Sequence, residues 1–273
     1  MSHLRPQPEP YTEPELSERD DRPEHGIVLY PPLRVRAITR HDELPRPEIE
    51  IWPAEVASPY DSRLALLGEP DSPCARGFEL LRHRLLRIGD PHVISVSSAL
   101  AGEGKTTTAL NLAHAIANER SARALLVEVN VRAPALSEIL GFRPPVCFFE
   151  QLTARATDDH FVVARVVDAG FDYLGVDPRV VGRWSARQRA FDGARLKRAI
   201  VQLRRAYDYV IIDTPAALDS PGASLLSDVA DGILITVRAP RSRARYVEKL
   251  LEQLEPAPIL GIALLDAPRR IEA

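Results

Sequence analysis

From about residue 76 onward, short apolar runs alternate with longer stretches in which apolar residues recur every three or four positions. The runs HVISVSS (92–98), ALLVEV (124–129), FDYLGV (171–176), DYVIIDTP (208–215), GILITVR (232–238) and ILGIALL (259–265) have strand length. Between them lie FELLRHRLLRIG, TTTALNLAHAIANE, APALSEIL, VCFFEQLTA, ARLKRAIVQLRRAY, SLLSDVAD and RARYVEKLLEQLE, all with helical periodicity. Several strands are apolar at every position, so both of their faces must be covered. The pattern predicts an α/β three-layer sandwich, with a mostly parallel central sheet and helices on both faces. The middle, Gly141 to Ala190, carries a weaker pattern than either flank.

The front of the chain reads differently. Residues 1–75 hold about half of the 24 prolines, many acids and only short apolar runs such as GIVLY and LALLG. Such a segment buries too little apolar surface to offset the entropy of ordering it. The expected organisation is therefore a largely disordered tail over 1–75 and a nucleotide-binding domain over 76–273. Short docking pieces are expected around Gly26–Ile38 or Ile49–Val56.

Composition narrows the function classes. A net charge of -3 over 273 residues argues against a nucleic-acid-binding surface. No apolar run is long enough to span a bilayer, and the N-terminus has no signal-peptide core. Cys74 and Cys147 lack metal-ligand spacing, which points to a reducing compartment. The expected location is the cytoplasm.

The chemistry is concentrated after the first of the strands. Ala99-Leu-Ala-Gly-Glu-Gly-Lys-Thr106 follows HVISVSS directly and opens a helix, the context a phosphate-binding loop requires. Gly102 and Gly104 let the backbone curl so that successive N–H groups face an anion, and the helix start adds its positive dipole end. The expected nucleotide-binding residues are Ala101, Gly102, Glu103, Gly104, Lys105, Thr106 and Thr107. Lys105 reaches the outer phosphates, and Thr106 offers a hydroxyl to Mg²⁺. DYVIIDTP places Asp213 at the C-terminal end of a strand, the edge at which parallel sheets bind ligands. The expected cofactors are ATP and Mg²⁺. LLVEVNVRAP poses a question of its own: Glu128, Asn130 and Arg132 stand at alternate positions, so an extended backbone puts them on one face.

SALAGEGKTTTALNLA, LLVEVNVRAPAL and DYVIIDTPAAL, in this order, resemble the bacterial tyrosine kinases of capsule and exopolysaccharide systems, P-loop relatives of the MinD/ParA ATPases. The resemblance covers roughly Arg76 to Pro268. It implies that Lys105, Glu128 and Asp213 are catalytic, with Glu128 as the base for the attacking tyrosine hydroxyl. It also implies that Thr106, Asn130 and Asp213 hold the metal. The chain departs from the family at marked places. Glu128 and Asn130 stand where the family's D-x-D-x-R motif has aspartates. Arg76, Glu79 and Arg82 occupy the E-x-x-R-x-x-R assembly motif with the first two charges reversed. No tyrosine follows Tyr246, and Leu265 and Asp266 stand where relatives carry an asparagine near the base. Leu100 replaces the early lysine of the MinD/ParA branch, which favours the kinase branch.

The resemblance further implies a separate membrane-bound polysaccharide co-polymerase as activator, recruitment to the inner face of the membrane, and a dimer or larger homo-oligomer. Tyr11 and Tyr60 are candidate acceptors, and Gly182–Gln188 (GRWSARQ) is a candidate nucleotide- or partner-facing loop. Two other functions compete with the kinase: a non-catalytic ATP-dependent switch, and a MinD/ParA-like positioning ATPase.

Overall fold

Each of the six apolar runs contributes a strand, because side chains one position apart on it serve opposite layers of core. The structure, a computed structural model, describes residues 28–30, 46–119, 122–154, 160–182, 193–219, 226, 228–239 and 241–266. Its strands are β1 (Val28–Tyr30), β2 (Glu48–Ala54), β3 (Val93–Ser97), β4 (Ala124–Glu128), β5 (His160–Val166), β6 (Asp172–Leu174), β7 (Tyr209–Asp213), β8 (Gly232–Arg238) and β9 (Ile259–Leu265). Its helices are α1 (Ala65–Gly68), α2 (Pro73–Leu86), α3 (Lys105–Ala117), α4 (Leu136–Leu140), α5 (Phe148–Ala154), α6 (Pro178–Gly182), α7 (Gly193–Ala206) and α8 (Ala244–Leu254). Most of SLLSDVAD lies outside the described residues.

The strands form one sheet in the order β1-β9-β8-β3-β7-β4-β6-β5-β2. Pairing is parallel except for β1 with β9 and β5 with β6. On one face Ile94, Leu126 and Ile211 pack with Phe78 and Leu81 of α2 and Leu110 and Leu112 of α3. On the other, Val93, Leu125, Val127, Val210 and Ile212 pack with Phe148 of α5 and Leu196, Ile200 and Leu203 of α7. The strands are thus buried on both faces, as a parallel sheet requires. Continuing the alternation, Glu128 follows Leu126 and Asp213 follows Ile211 onto the α3 side. The two carboxylates are register partners on adjacent strands.

The composition break at residue 75 is not a structural boundary among the described residues. β2 runs parallel to β5 for its whole length, from Glu48 beside His160 to Ala54 beside Val166. The backbone N–H groups of Val56 and Ala57 donate to Asp168 Oδ2 (2.8 Å) and the Leu140 carbonyl (3.0 Å). Leu64 is buried in the core. Helix α2 begins five residues before the apolar period at Phe78 becomes evident. Ser72 is its N-cap, accepting from the Ala75 N–H at 3.1 Å, and Pro73 occupies the first turn. Both pieces expected to dock, around Gly26–Ile38 and Ile49–Val56, contain a strand. Residues 1–27 and 31–45 lie outside the described set.

Neither β5 nor the length of β2 stands out in the apolar pattern. EIEIWPA alternates acids with apolar residues and contains Pro53, which reads as an extended tether. An edge strand tolerates that proline, because one side of it has no ladder to satisfy.

Candidate functional site

The loop between β3 and α3 turns twice through left-handed glycines, Gly102 at φ 80° and Gly104 at φ 86°. At Gly104 a Cβ would also meet Leu265 Cδ1 at 2.2 Å, the movable end of a side chain, so it is the positive φ that calls for glycine there. Glu103 secures the loop from behind. Its carboxylate is buried, accepting from the Leu100 N–H at 2.8 Å and from the Ser242 hydroxyl. Only the backbone of Glu103 therefore remains for a ligand. Arg238, at the end of β8, donates from Nη1 to the Gly102 carbonyl at 3.2 Å.

Lys105 opens α3 and is largely buried. Its Nζ donates to Ser98 Oγ (2.9 Å) and to the Leu100 carbonyl (3.3 Å), and burial pulls its pKa down. Thr106 Oγ1 donates to Asp213 Oδ2 at 2.8 Å. The other oxygen, Asp213 Oδ1, is buried with no hydrogen-bond partner among the described residues. Burial, then the nearby Glu128 charge, push the Asp213 pKa up to about 7, against the opposing pull of Thr106 and Lys105.

Lys105 and Thr106 open onto a cavity of about 430 Å³; Asp213, hydrogen-bonded to Thr106, lies behind its wall and does not line it. Ala101, Gly102, Gly104, Lys105, Thr106 and Thr107 line it from the loop, and Asn130 and Arg132 from the turn after β4. Arg63 and Arg238 complete a wall rich in cations. A second cavity, of about 680 Å³, shares Arg63, Thr107 and Arg238 with the first and extends past Tyr60, Leu265 and Asp266. Loop backbone and cationic side chains thus converge on a polyanion-sized space with a helix N-terminus at its edge.

The turn after β4 behaves differently. Glu128 is fully buried and does not line the cavity. Its Oε1 accepts from the N–H groups of Ala135 (2.8 Å) and Leu136 (3.0 Å). Its Oε2 accepts from the Tyr173 hydroxyl (2.8 Å) and the Val176 N–H (3.1 Å). Both oxygens are therefore engaged with donors of the protein itself. For Glu128 to act as the base that the resemblance implies, it would have to release one of these donors, two of which lie at the start of α4. Asn130 makes a local turn, Oδ1 accepting from the Ala133 N–H (3.3 Å) and Nδ2 donating to the Ala133 carbonyl (3.0 Å). Arg132 Nη1 donates to the Asp219 carbonyl at 2.9 Å.

A model of the AAA domain family matches residues 91–257, more than half of the chain. The chain belongs to that family. The succinoglycan biosynthesis transport protein ExoP of Rhizobium meliloti is 28% identical over 198 residues, covering 69% of this chain and 24% of that protein. The tyrosine-protein kinase CpsD of Streptococcus agalactiae is 27% identical over 175 residues, covering 63% of this chain and 73% of that protein. The kinase domain of the Escherichia coli tyrosine kinase ETK superposes with a TM-score of 0.65 at 19% identity, over 77% of this chain and 82% of that domain. That last likeness is one of fold. This AAA-domain chain is thus a P-loop protein homologous to bacterial tyrosine-protein kinases, to a succinoglycan biosynthesis transport protein and to ParA family proteins.

Several site features of this AAA-domain chain escape sequence reasoning. Arg63 lies in the stretch that reads as a tether. Arg238 ends an apolar strand just as Asp213 does, a signal by which it could be found. Ser98 enters through its contact with Lys105, and Asp219 both lines the cavity and receives Arg132 on its carbonyl. On α2, Arg76 and Glu79 are exposed, whereas Arg82 turns inward to Glu119 and the Ala115 carbonyl (3.4 Å). Tyr60 is 39% exposed beside the second cavity. Tyr11 and residues 183–188 of the GRWSARQ loop lie outside the described residues. Among the described residues no helix is long and apolar enough to cross a membrane.

Proposed function

We propose that this chain binds Mg-ATP across the two adjoining cavities and transfers phosphate slowly to tyrosine, as a regulator of capsule or exopolysaccharide synthesis and export. One observation carries the reading: a phosphate loop delivers Lys105 and Thr106 to a cavity, and Asp213, hydrogen-bonded to Thr106 from behind, keeps one buried oxygen unpartnered among the described residues.

In this reading the backbone N–H groups from Ala101 to Thr107 take the phosphates. Lys105 exchanges its contacts with Ser98 and Leu100 for the outer phosphate oxygens. Thr106 and Asp213 hold Mg²⁺, with Asn130 as a further oxygen at the cavity wall. The orphaned Oδ1 fits such an ion, because a buried carboxylate oxygen without a donor is costly unless a cation is its partner. Among the described residues no group of three or more His, Cys, Asp or Glu could hold a metal, so the remaining ligands must be phosphate and water. The ion neutralises charge on the outer phosphates. A loose transition state depends on positioning and charge more than on a base, so the engaged Glu128 slows the reaction without abolishing it. The chain works in the cytoplasm as a dimer or larger homo-oligomer, and a separate membrane-bound co-polymerase recruits and activates it.

A second reading, an ATP-dependent switch with little turnover, is favoured by the four donors already on Glu128. The test adds Mg-ATP to the purified chain, with and without a candidate membrane activator, and follows phosphotyrosine and nucleotide binding together. The kinase reading expects phosphotyrosine that a Lys105→Met variant lacks. Nucleotide binding with no phosphotyrosine under either condition leaves the switch.

A further inference from the structure

The segment Tyr60–Gly68 lies outside the family match at 91–257, yet it forms part of the phosphate cavity. Its attachment is specific. Asn111 of α3 is buried, and its Nδ2 donates to the Arg63 carbonyl (2.7 Å) and the Thr107 carbonyl (2.8 Å). Its Oδ1 accepts from the Leu66 N–H at 3.2 Å. One amide thus ties the segment to the first turns of the phosphate-loop helix, while Leu64 and Ala65 anchor it in the core. The backbone of Arg63 is fixed on both sides, and its side chain lines the same cavity as Lys105 and Thr106.

The guanidinium is held by anions already. Its Nε donates to Asp61 Oδ1 (2.8 Å) and its Nη2 to Asp61 Oδ2 (2.6 Å), a two-pronged pair. Nη2 also stands 3.7 Å from Glu138 Oε1. The Arg63 side chain is 37% exposed, so the pair is solvent-screened and exchangeable. Phosphate presents two oxygens to the same planar fork and carries more charge.

We propose that Arg63 is a further phosphate-binding residue, supplied in cis by the segment ahead of the P-loop core, and that Asp61 is the resident counter-ion a bound nucleoside triphosphate displaces. This rests on the nucleotide reading above. Arg63 sits where the two cavities meet, so it takes a polyphosphate oxygen rather than the base. Asp61 keeps the guanidinium in the cavity before ligand arrives and competes with the ligand for it.

The test is displacement of a fluorescent ATP analogue by ATP and by adenosine, with thermal melting as the check on folding. Arg63→Ala should weaken ATP about tenfold or more and leave adenosine within about twofold, the loss of one charge-assisted phosphate contact. Arg63→Lys should fall between the two, because a point charge recovers attraction but not the fork. Asp61→Asn keeps the local turn but removes the competing charge, and should tighten ATP a few-fold. This last variant tests the idea even if Arg63→Ala melts early. The proposal is overturned if Arg63→Ala binds ATP within about twofold of wild type, if ATP and adenosine weaken equally, or if Asp61→Asn weakens ATP. Wild type that binds no ATP overturns the nucleotide reading itself and this proposal with it.

Discussion

Two neighbouring strands end on the same side of the sheet in a carboxylate, and the protein treats the two acids in opposite ways. Asp213, at the end of β7, accepts a hydrogen bond from Thr106 on one oxygen and leaves Oδ1 buried and, among the described residues, unpartnered. Glu128, beside it at the end of β4, accepts four. Both are desolvated, but only the first is held incomplete. A buried carboxylate whose donors come from its own chain stabilises the fold, whereas one left short of donors waits for a cation. The difference teaches that position at the ligand edge of the sheet does not by itself set what a carboxylate is left free to bind. The donors that fold around the acid decide it.

The largest expected effect separates the two acids by stability. Glu128→Ala strips the partners from the N–H groups of Ala135, Leu136 and Val176 and from the Tyr173 hydroxyl. A loss of about 3–5 kcal/mol is expected in denaturant unfolding. A loss below about 1 kcal/mol would mean that Glu128 does not hold the fold together.

An effect of opposite sign is expected at Asp213. Its folded pKa, about 7, lies above its ordinary value of 3.8. Between these pH values the folded state holds the proton more tightly than the unfolded one, so stability falls as pH rises through the window. In metal-free buffer Asp213→Asn should match wild type near about pH 4 and exceed it at about pH 8 by up to about 4 kcal/mol. Melting curves across that range check it, and a variant less stable than wild type at the alkaline end would refute the assignment.

The same contrast explains which parts of the site are legible in the sequence. The phosphate loop is contiguous, and each of its residues has a local reason to be there: two left-handed turns, a cation, a hydroxyl and a helix start. The apolar runs likewise become strands because burial on both faces is a local demand on each run. The surroundings of Glu128 are not legible in the sequence, because its donors come from positions 7, 8, 45 and 48 residues away, through folding that no spacing reveals. Arg63 escapes notice for the same reason. Its place in the cavity depends on Asn111, 48 residues further along. β2 resembles a tether because its acids and Pro53 suit an exposed edge, and only β5 shows that the edge exists.

Calorimetric titration of ATP with Mg²⁺ and with EDTA, on wild type, Asp213→Asn and Glu128→Gln, tests the contrast most directly. Wild type and folded Glu128→Gln should both bind at least about tenfold more tightly with Mg²⁺, about 1.4 kcal/mol, and Asp213→Asn should lose that gain. If Asp213→Asn keeps the Mg²⁺ dependence and folded Glu128→Gln loses it, the two acids have the opposite roles: Glu128 serves the metal and Asp213 the fold.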